Sequence, residues 1–206
     1  MSDNTNYPAQ LNIKYNDSSN RVTVFFRLLL VIPAALIIAL LSGFLVEGNN
    51  SNALQVGGGF LFLPIMLMIV VRGKYPKWWF DWVCELSKLS YRILAYSMLL
   101  TDKYPSVDEE QDIGLVLKYP DVKKELNRYL PLIKWLLAAP HFLILIVIYA
   151  AIFVLSPVIW LTVLIMGKMP ETLFNFLVGF LRYNFRVSAY AILLITDKYP
   201  PFNGKP

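Results

Sequence analysis

Chemically reactive side chains are scarce in this sequence: it holds one cysteine, Cys84, and one histidine, His141, in 206 residues. A single cysteine excludes an internal disulfide and any cysteine-based metal site. A lone histidine cannot supply bis-histidine haem ligation, and no cysteine or carboxylate lies close to it in sequence to complete a transition-metal site. Charge is sparse as well, at 16% of residues, against about 25% in an ordinary soluble domain. The acidic residues near apolar segments, Glu47, Asp81 and Glu85, fall at segment ends and leave no intramembrane proton relay of the kind a pump uses. The only glycine run, Gly57-Gly58-Gly59, lacks the Lys-Ser/Thr that completes a Walker loop. No Ser-His-Asp or Cys-His set can be assembled. Together these absences argue against an enzyme, and we expect neither a cofactor nor a metal site.

What the chain has instead is apolar length. Hydrophobic residues make up 57% of it and the mean hydropathy is +0.52. They gather in a few long stretches, which points to lipid as their solvent. The net charge is +5 and the isoelectric point near 9.2. The basic residues flank the apolar segments and form no separate arm or stripe, so an anionic membrane surface is the expected partner and nucleic acid is not. The start, MSDNTNYPAQ, lacks a basic n-region, and the first apolar segment lacks a small-x-small cleavage site, so that segment is expected to stay as an anchor.

The sequence also repeats itself. Phe80 to Pro105 reads FDWVCELSKLSYRILAYSMLLTDKYP, and Phe174 to Pro200 reads FNFLVGFLRYNFRVSAYAILLITDKYP. The offset of 94 becomes 95 after one inserted residue, placed at Ile195. Before each run sits a turn, Gly73-Lys74-Tyr75-Pro76 and Gly167-Lys168-Met169-Pro170. Upstream, Arg27-LLLVI-Pro33 matches Lys134-WLLAA-Pro140, and Leu11-Asn-Ile-Lys-Tyr15 matches Leu115-Val-Leu-Lys-Tyr119. Four blocks agreeing in order and spacing imply a tandem duplication. The expected fold is an all-α integral membrane protein whose two copies each hold a short N-terminal strand, a helical hairpin and an amphipathic interfacial helix. The first copy is set at 9–105, with a hairpin over about 22–72 and its interfacial helix over about 77–100. A linker at 106–112 leads to the second copy at 113–202, with a hairpin over about 133–166 and an interfacial helix over about 171–195.

The strands alternate, with Leu11, Ile13 and Tyr15 on one face, and the two stretches are similar enough to pair with one another. Asp17 or Ser18, and Asp121, are placed to cap the helices that follow. The loop 43–59 carries polar and turn residues, whereas the second apolar run has none. We expect that run to turn near Ser156-Pro157, a single tilted span being the alternative. Pro33 and Pro140 should each kink a helix. Because Lys and Arg gather beside the hairpins and are absent from 43–59, both termini are expected in the cytoplasm.

The third helix of each copy carries the candidate contact residues. Lys77, Asp81, Glu85, Lys88 and Arg92 recur at spacings of four, four, three and four, which puts them on one helical face. Spanning the bilayer would bury several of these charges, at about 2.5–3.5 kcal/mol each near the centre. Lying in the interface keeps them wet and sets Trp78, Trp79 and Trp82 among headgroups. Lys88, Arg92 and, in the second copy, Arg182 and Arg186 are the candidate lipid or partner contacts; plain solvation of a polar stripe explains them equally well. His141 is read as a hydrogen-bonded packing residue, with contact to a partner's cofactor as the alternative. Thr101-Asp102 and Thr196-Asp197, each followed by Lys-Tyr-Pro, are read as helix stops.

Laid out this way, the chain resembles the bacterial membrane proteins that carry domain of unknown function 4389. The matching residues are Val22-Thr23-Val24-Phe25-Phe26-Arg27, Ala139-Pro140-His141, the two Gly-Lys-x-Pro turns, and Arg186-Val187-Ser188-Ala189-Tyr190 through Thr196-Asp197-Lys198-Tyr199-Pro200-Pro201-Phe202. The first copy departs from the pattern at Ala34, where the family has histidine. The resemblance implies an architecture and a bacterial inner-membrane location but no activity. The expected role is therefore a non-catalytic accessory subunit of a larger membrane complex. A lipid-binding or membrane-remodelling protein is the alternative, and a small transporter with two repeats the third reading.

Overall fold

The computed structural model describes residues 7–16, 18–41, 62–106, 109 and 111–205. The expected loop at 43–59, with Glu47, and the candidate cap Asp17 lie outside them. Strand β1 (Ala9–Ile13) leads into α1 (Arg21–Leu41). Helix α2 (Phe62–Leu67) widens into a π-helical turn at Met68–Arg72, and α3 (Lys77–Ser97) follows. The C-terminal half contains β2 (Ile113–Leu117), the short α4 (Val122–Glu125), α5 (Pro131–Leu137), α6 (Ala139–Met166) and α7 (Glu171–Ala191).

The strands pair with each other, antiparallel, in a register centred on Leu11 opposite Leu115. Those are the two residues that the sequence comparison matched. Period-two alternation sends Ala9, Leu11 and Ile13 inward, all buried. Each strand's tyrosine then reaches into the other half. The Tyr15 hydroxyl donates to the Met169 carbonyl at 2.6 Å, and the Tyr119 hydroxyl donates to the Tyr75 carbonyl at 2.5 Å. Met169 and Tyr75 occupy the same place in the two Gly-Lys-x-Pro turns. In those turns Gly73 and Gly167 adopt φ of +59° and +70°, a left-handed conformation that suits glycine because it has no Cβ to clash. Pro76 and Pro170 then start α3 and α7.

A second exchange caps helix ends. Arg21 at the start of α1 donates to the Ile165 carbonyl near the end of α6, at 3.1 Å. Arg128, ahead of α5, donates to Val70 and Val71 at the end of the π-helical turn. Both arginines satisfy carbonyls that have no partner in their own helix and sit at the negative end of its dipole. The cap of α1 itself is Asn20, whose side chain accepts from the Val22 amide at 3.0 Å; the expected Ser18 lies too far ahead of the first helical residue, Arg21.

Helices α1 and α6 are long and apolar enough to cross a membrane. At 1.5 Å per residue the 28 residues of α6 span about 42 Å, more than a hydrocarbon core of roughly 30 Å. The two run in opposite directions, joined by the Trp160 indole N–H donating to the Val24 carbonyl at 2.9 Å. Packing within the chain does not account for their apolarity, since Leu28 is 77% and Phe153 80% exposed.

The expected turn at Ser156-Pro157 is absent: α6 passes unbroken through both. Pro157 has no N–H to give the carbonyl four residues back, that of Phe153. The Ser156 hydroxyl donates to that carbonyl instead, at 2.8 Å, so the helix continues with its backbone satisfied, as apolar surroundings require. The two expected kinks also differ. Pro33 stays inside a continuous α1, whereas Pro140 follows a break between α5 and α6 at Ala138.

Helix α7, expected at an interface, is the most buried helix among the described residues. β1 lies along it, with Arg182 Nε donating to the Leu11 carbonyl at 2.9 Å. Helices α3 and α7 meet where Tyr91 and Phe185, 94 positions apart, pack edge to face at 4.9 Å. The inserted residue also falls elsewhere than Ile195. Leu99 and Leu194 share a left-handed φ, of 64° and 55°, and the amides of Leu100 and Ile195 bond back to Ala95 and Ala189. Ile195 therefore corresponds to Leu100, and the extra residue lies ahead of Leu194.

Leu11→Ala should destabilise the protein by roughly 2–5 kcal/mol through a cavity at the strand pair, whereas Val116→Ala on the open face should cost less than about 0.5 kcal/mol. Thermal unfolding followed by circular dichroism in detergent compares the two.

Candidate functional site

Two buried cations organise the polar interior. Arg27, on the first third of α1, is 2% exposed. Its Nη1 donates to the carbonyls of Tyr96 and Thr101, at 3.2 and 2.8 Å, and its Nη2 pairs with the Asp102 carboxylate. The guanidinium lies 4.5 Å from the centre of the Tyr96 ring. Asp102 also accepts the Asn20 amide, at 2.9 Å, which ties the start of α1 to the turn after α3. In the other half Lys134, on α5, is fully buried. Its Nζ donates to the Thr196 carbonyl at 2.8 Å, pairs with Asp197 at 2.6 Å, and lies 5.2 Å from the Tyr190 ring. Asp197 in turn accepts the Asn127 amide. Asn20 and Asn127, like Arg27 and Lys134, stand 107 positions apart.

The Thr-Asp-Lys-Tyr-Pro segments are thus more than helix stops: each supplies the carbonyl and carboxylate that neutralise a buried cation. The sequence held a usable signal, a matched cation in each apolar stretch and a matched aspartate after each third helix. Reading Arg27 and Lys134 as flanking charges hid the pairing.

The arginines expected to meet lipid headgroups instead bind the chain's own backbone. Arg92 is buried and donates to the Ser106 carbonyl. Arg186 is buried and donates to Lys205 at 2.8 Å and Asn203 at 3.4 Å. Arg182 holds β1. The reason is the segment after each Tyr-Pro, which folds back across the arginine face of its helix. In the second half Gly204 lies so close to Gly179 that a Cβ on it would stand 2.2 Å from the Gly179 carbonyl oxygen. The same tail brings Phe202 to stack on His141, with ring centres 4.2 Å apart. His141 is fully buried, and its Nδ1 shares a hydrogen bond of 2.6 Å with the Tyr183 hydroxyl. That is the packing role expected of it. Ala34, the residue 107 positions earlier, sits in an apolar cluster with Leu89 and Ile93.

The start of α3 remains an open surface. Trp78 is 69% exposed, and Trp78, Trp79 and Trp82 form a chain of ring contacts with centres 5.5 Å apart at each step. Lys74 and Lys77 are exposed beside them, and Lys88 pairs with Glu85 at 2.7 Å in the open. Cys84 lies half-buried on this helix, and burial pushes its thiol up to about 11. Among the described residues no group of three His, Cys, Asp or Glu side chains is placed to hold a metal ion.

The family comparison singles out the second half. Residues 131–203 match the model of the family described as Domain of unknown function (DUF4389). The DUF4389 match covers about a third of the chain and includes Lys134, His141, Arg182, Arg186, Asp197 and Phe202. It therefore spans the whole second knot together with the tail folded over α7. No curated protein and no solved structure matches the chain.

Asp197→Ala leaves a buried lysine without its counter-charge and should cost about 3–5 kcal/mol. Arg27→Lys should be tolerated far better, because lysine does the same work at position 134. Chemical denaturation of the three proteins in one detergent ranks them. Because only the thiolate reacts, Cys84 should alkylate roughly 100-fold more slowly at pH 8 than an unperturbed thiol. Its rate should rise about tenfold per pH unit until the pH approaches 11; iodoacetamide labelling across pH measures this.

Proposed function

We propose that this chain is a multi-pass protein of the bacterial inner membrane, built from two tandem copies of one unit, that serves as a non-catalytic accessory subunit of a larger membrane complex. One observation carries the reading: α1 and α6 leave long apolar faces uncovered beside an interior whose cations are committed to holding the fold together. Uncovered apolar surface of that extent belongs in lipid or against another membrane helix.

Several pairings support the two-copy element. The strands pair about the matched residues Leu11 and Leu115, Tyr15 and Tyr119 exchange bonds with each other's turns, and Arg21 and Arg128 cap each other's helices. A rotation by half a turn about the strand centre relates these pairs, as in a two-fold dimer fused into one chain. Basic residues clustered around the sheet and the Gly-Lys-x-Pro turns support a cytoplasmic position for that end.

Gentle solubilisation of native membranes, followed by identification of the co-migrating proteins, tests the accessory role. A stable assembly containing other membrane subunits is expected; a lone monomer in every mild detergent overturns it. The tryptophan chain of α3 beside Lys74 and Lys77 favours a second reading, binding of anionic lipid at the surface. Replacing both lysines with glutamine should then lower the share of anionic lipid that co-purifies, at about 1 kcal/mol per lysine. An unchanged share removes that reading.

A further inference from the structure

A groove of about 460 Å³ runs between α1, the C-terminal end of α3, and α6. Its walls include Leu28, Met98, Leu99, Ile152, Phe153 and Trp160, together with Arg27. The size and the apolar lining with few polar groups suit a small amphiphile. Most of those polar groups are already engaged. Ser97 and Ser156 donate to the carbonyls of Leu94 and Phe153, and the Trp160 indole donates to Val24. Arg27 differs: its Nε is buried and has no hydrogen-bond partner among the described residues. A buried donor left unsatisfied costs about 1–3 kcal/mol, so an oxygen acceptor that reaches it completes the site.

Charge narrows the acceptor. Asp102 already neutralises Arg27, so the complementary group is a neutral oxygen rather than a second carboxylate. Depth agrees with this. Arg27 lies six residues into α1, about 9 Å along the axis from its polar start, the level at which acyl esters sit beneath their headgroups. We infer that this groove holds one acyl chain of a membrane phospholipid, with its ester carbonyl accepting from Arg27 Nε.

A smaller groove of about 270 Å³ lies on the other half. Its Ile65, Val83 and Ile192 stand 94 positions from Ile159, Leu177 and Met98 of the first groove. It has no charged residue in its wall, so the polar anchor belongs to the larger groove alone.

The inference rests on the membrane reading, and the test separates the two. The full chain is reconstituted in vesicles of phosphatidylethanolamine and phosphatidylglycerol. Part of the phosphatidylethanolamine carries a diazirine in one acyl chain, and the photoadducts are mapped by peptide. Adducts are expected at Met98, Leu99 and Ile152 in the groove, and at Leu143 and Ile146 on the outer face of α6. Ile152→Trp, which fills the groove, should lower the groove adducts at least tenfold and leave the outer-face adducts unchanged. Ser97→Phe at the rim provides a second blocked variant should the first unfold. Groove adducts that persist in both variants overturn the inference while the membrane reading stands. A diazirine fatty acid that labels the groove as well as the phospholipid does overturns the ester assignment. If carbonate washing strips the chain from the vesicles, the membrane reading falls and the inference falls with it.

Discussion

The structure depends on taking one cation per half out of water and satisfying it with the turn that ends the third helix. Arg27 and Lys134 are 2% and 0% exposed, and removing such groups from solvent costs several kcal/mol each. The carboxylates of Asp102 and Asp197, the carbonyls of Thr101 and Thr196, and the rings of Tyr96 and Tyr190 offset that cost together. A paired buried charge adds little net stability over an apolar substitute. Its effect is positional, because a cation has few acceptable partners in an apolar interior and admits few other arrangements of its helix and turn. Each aspartate also accepts the amide of Asn20 or Asn127, so one carboxylate sets both where a helix begins and what it lies against.

Around these knots the halves hold each other by exchange. Arg21 serves the end of α6 and Arg128 the end of the turn after α2, while each strand tyrosine bonds to the opposite turn. Neither half carries partners for these groups within itself. On the proposed two-copy reading, the chain keeps the interlocking of a two-fold dimer, and the divergence between copies marks where each half has specialised. Where the first half has Ala34 in an apolar cluster, the second has His141 bonded to Tyr183 and covered by Phe202. Arg27 borders the groove proposed to hold lipid, whereas Lys134 borders neither of the paired grooves.

Much of the architecture was legible beforehand because it rests on local pattern. Two-residue alternation places Leu11 and Ile13 inward, Gly73 and Gly167 close helices where only glycine is unstrained, and similar strands pair. Other features escaped because they depend on groups far apart in sequence. Nothing in the order of residues says that Ser156 will satisfy the carbonyl that Pro157 abandons, so Ser-Pro reads as a turn. The stripe of Arg92, Arg182 and Arg186 reads as a surface because periodicity reports which residues share a face, not what covers that face. Here the cover is β1 and the segments after each Tyr-Pro, up to 171 positions away.

By itself, then, the sequence determined the helices, the turns, the repeat and the lack of assembled catalytic groups, all of which follow from neighbouring residues or from composition. Only the tertiary structure decided which charges meet water and which are buried. A buried cation persists only where a carboxylate and carbonyls converge on it, and that convergence is a property of packing.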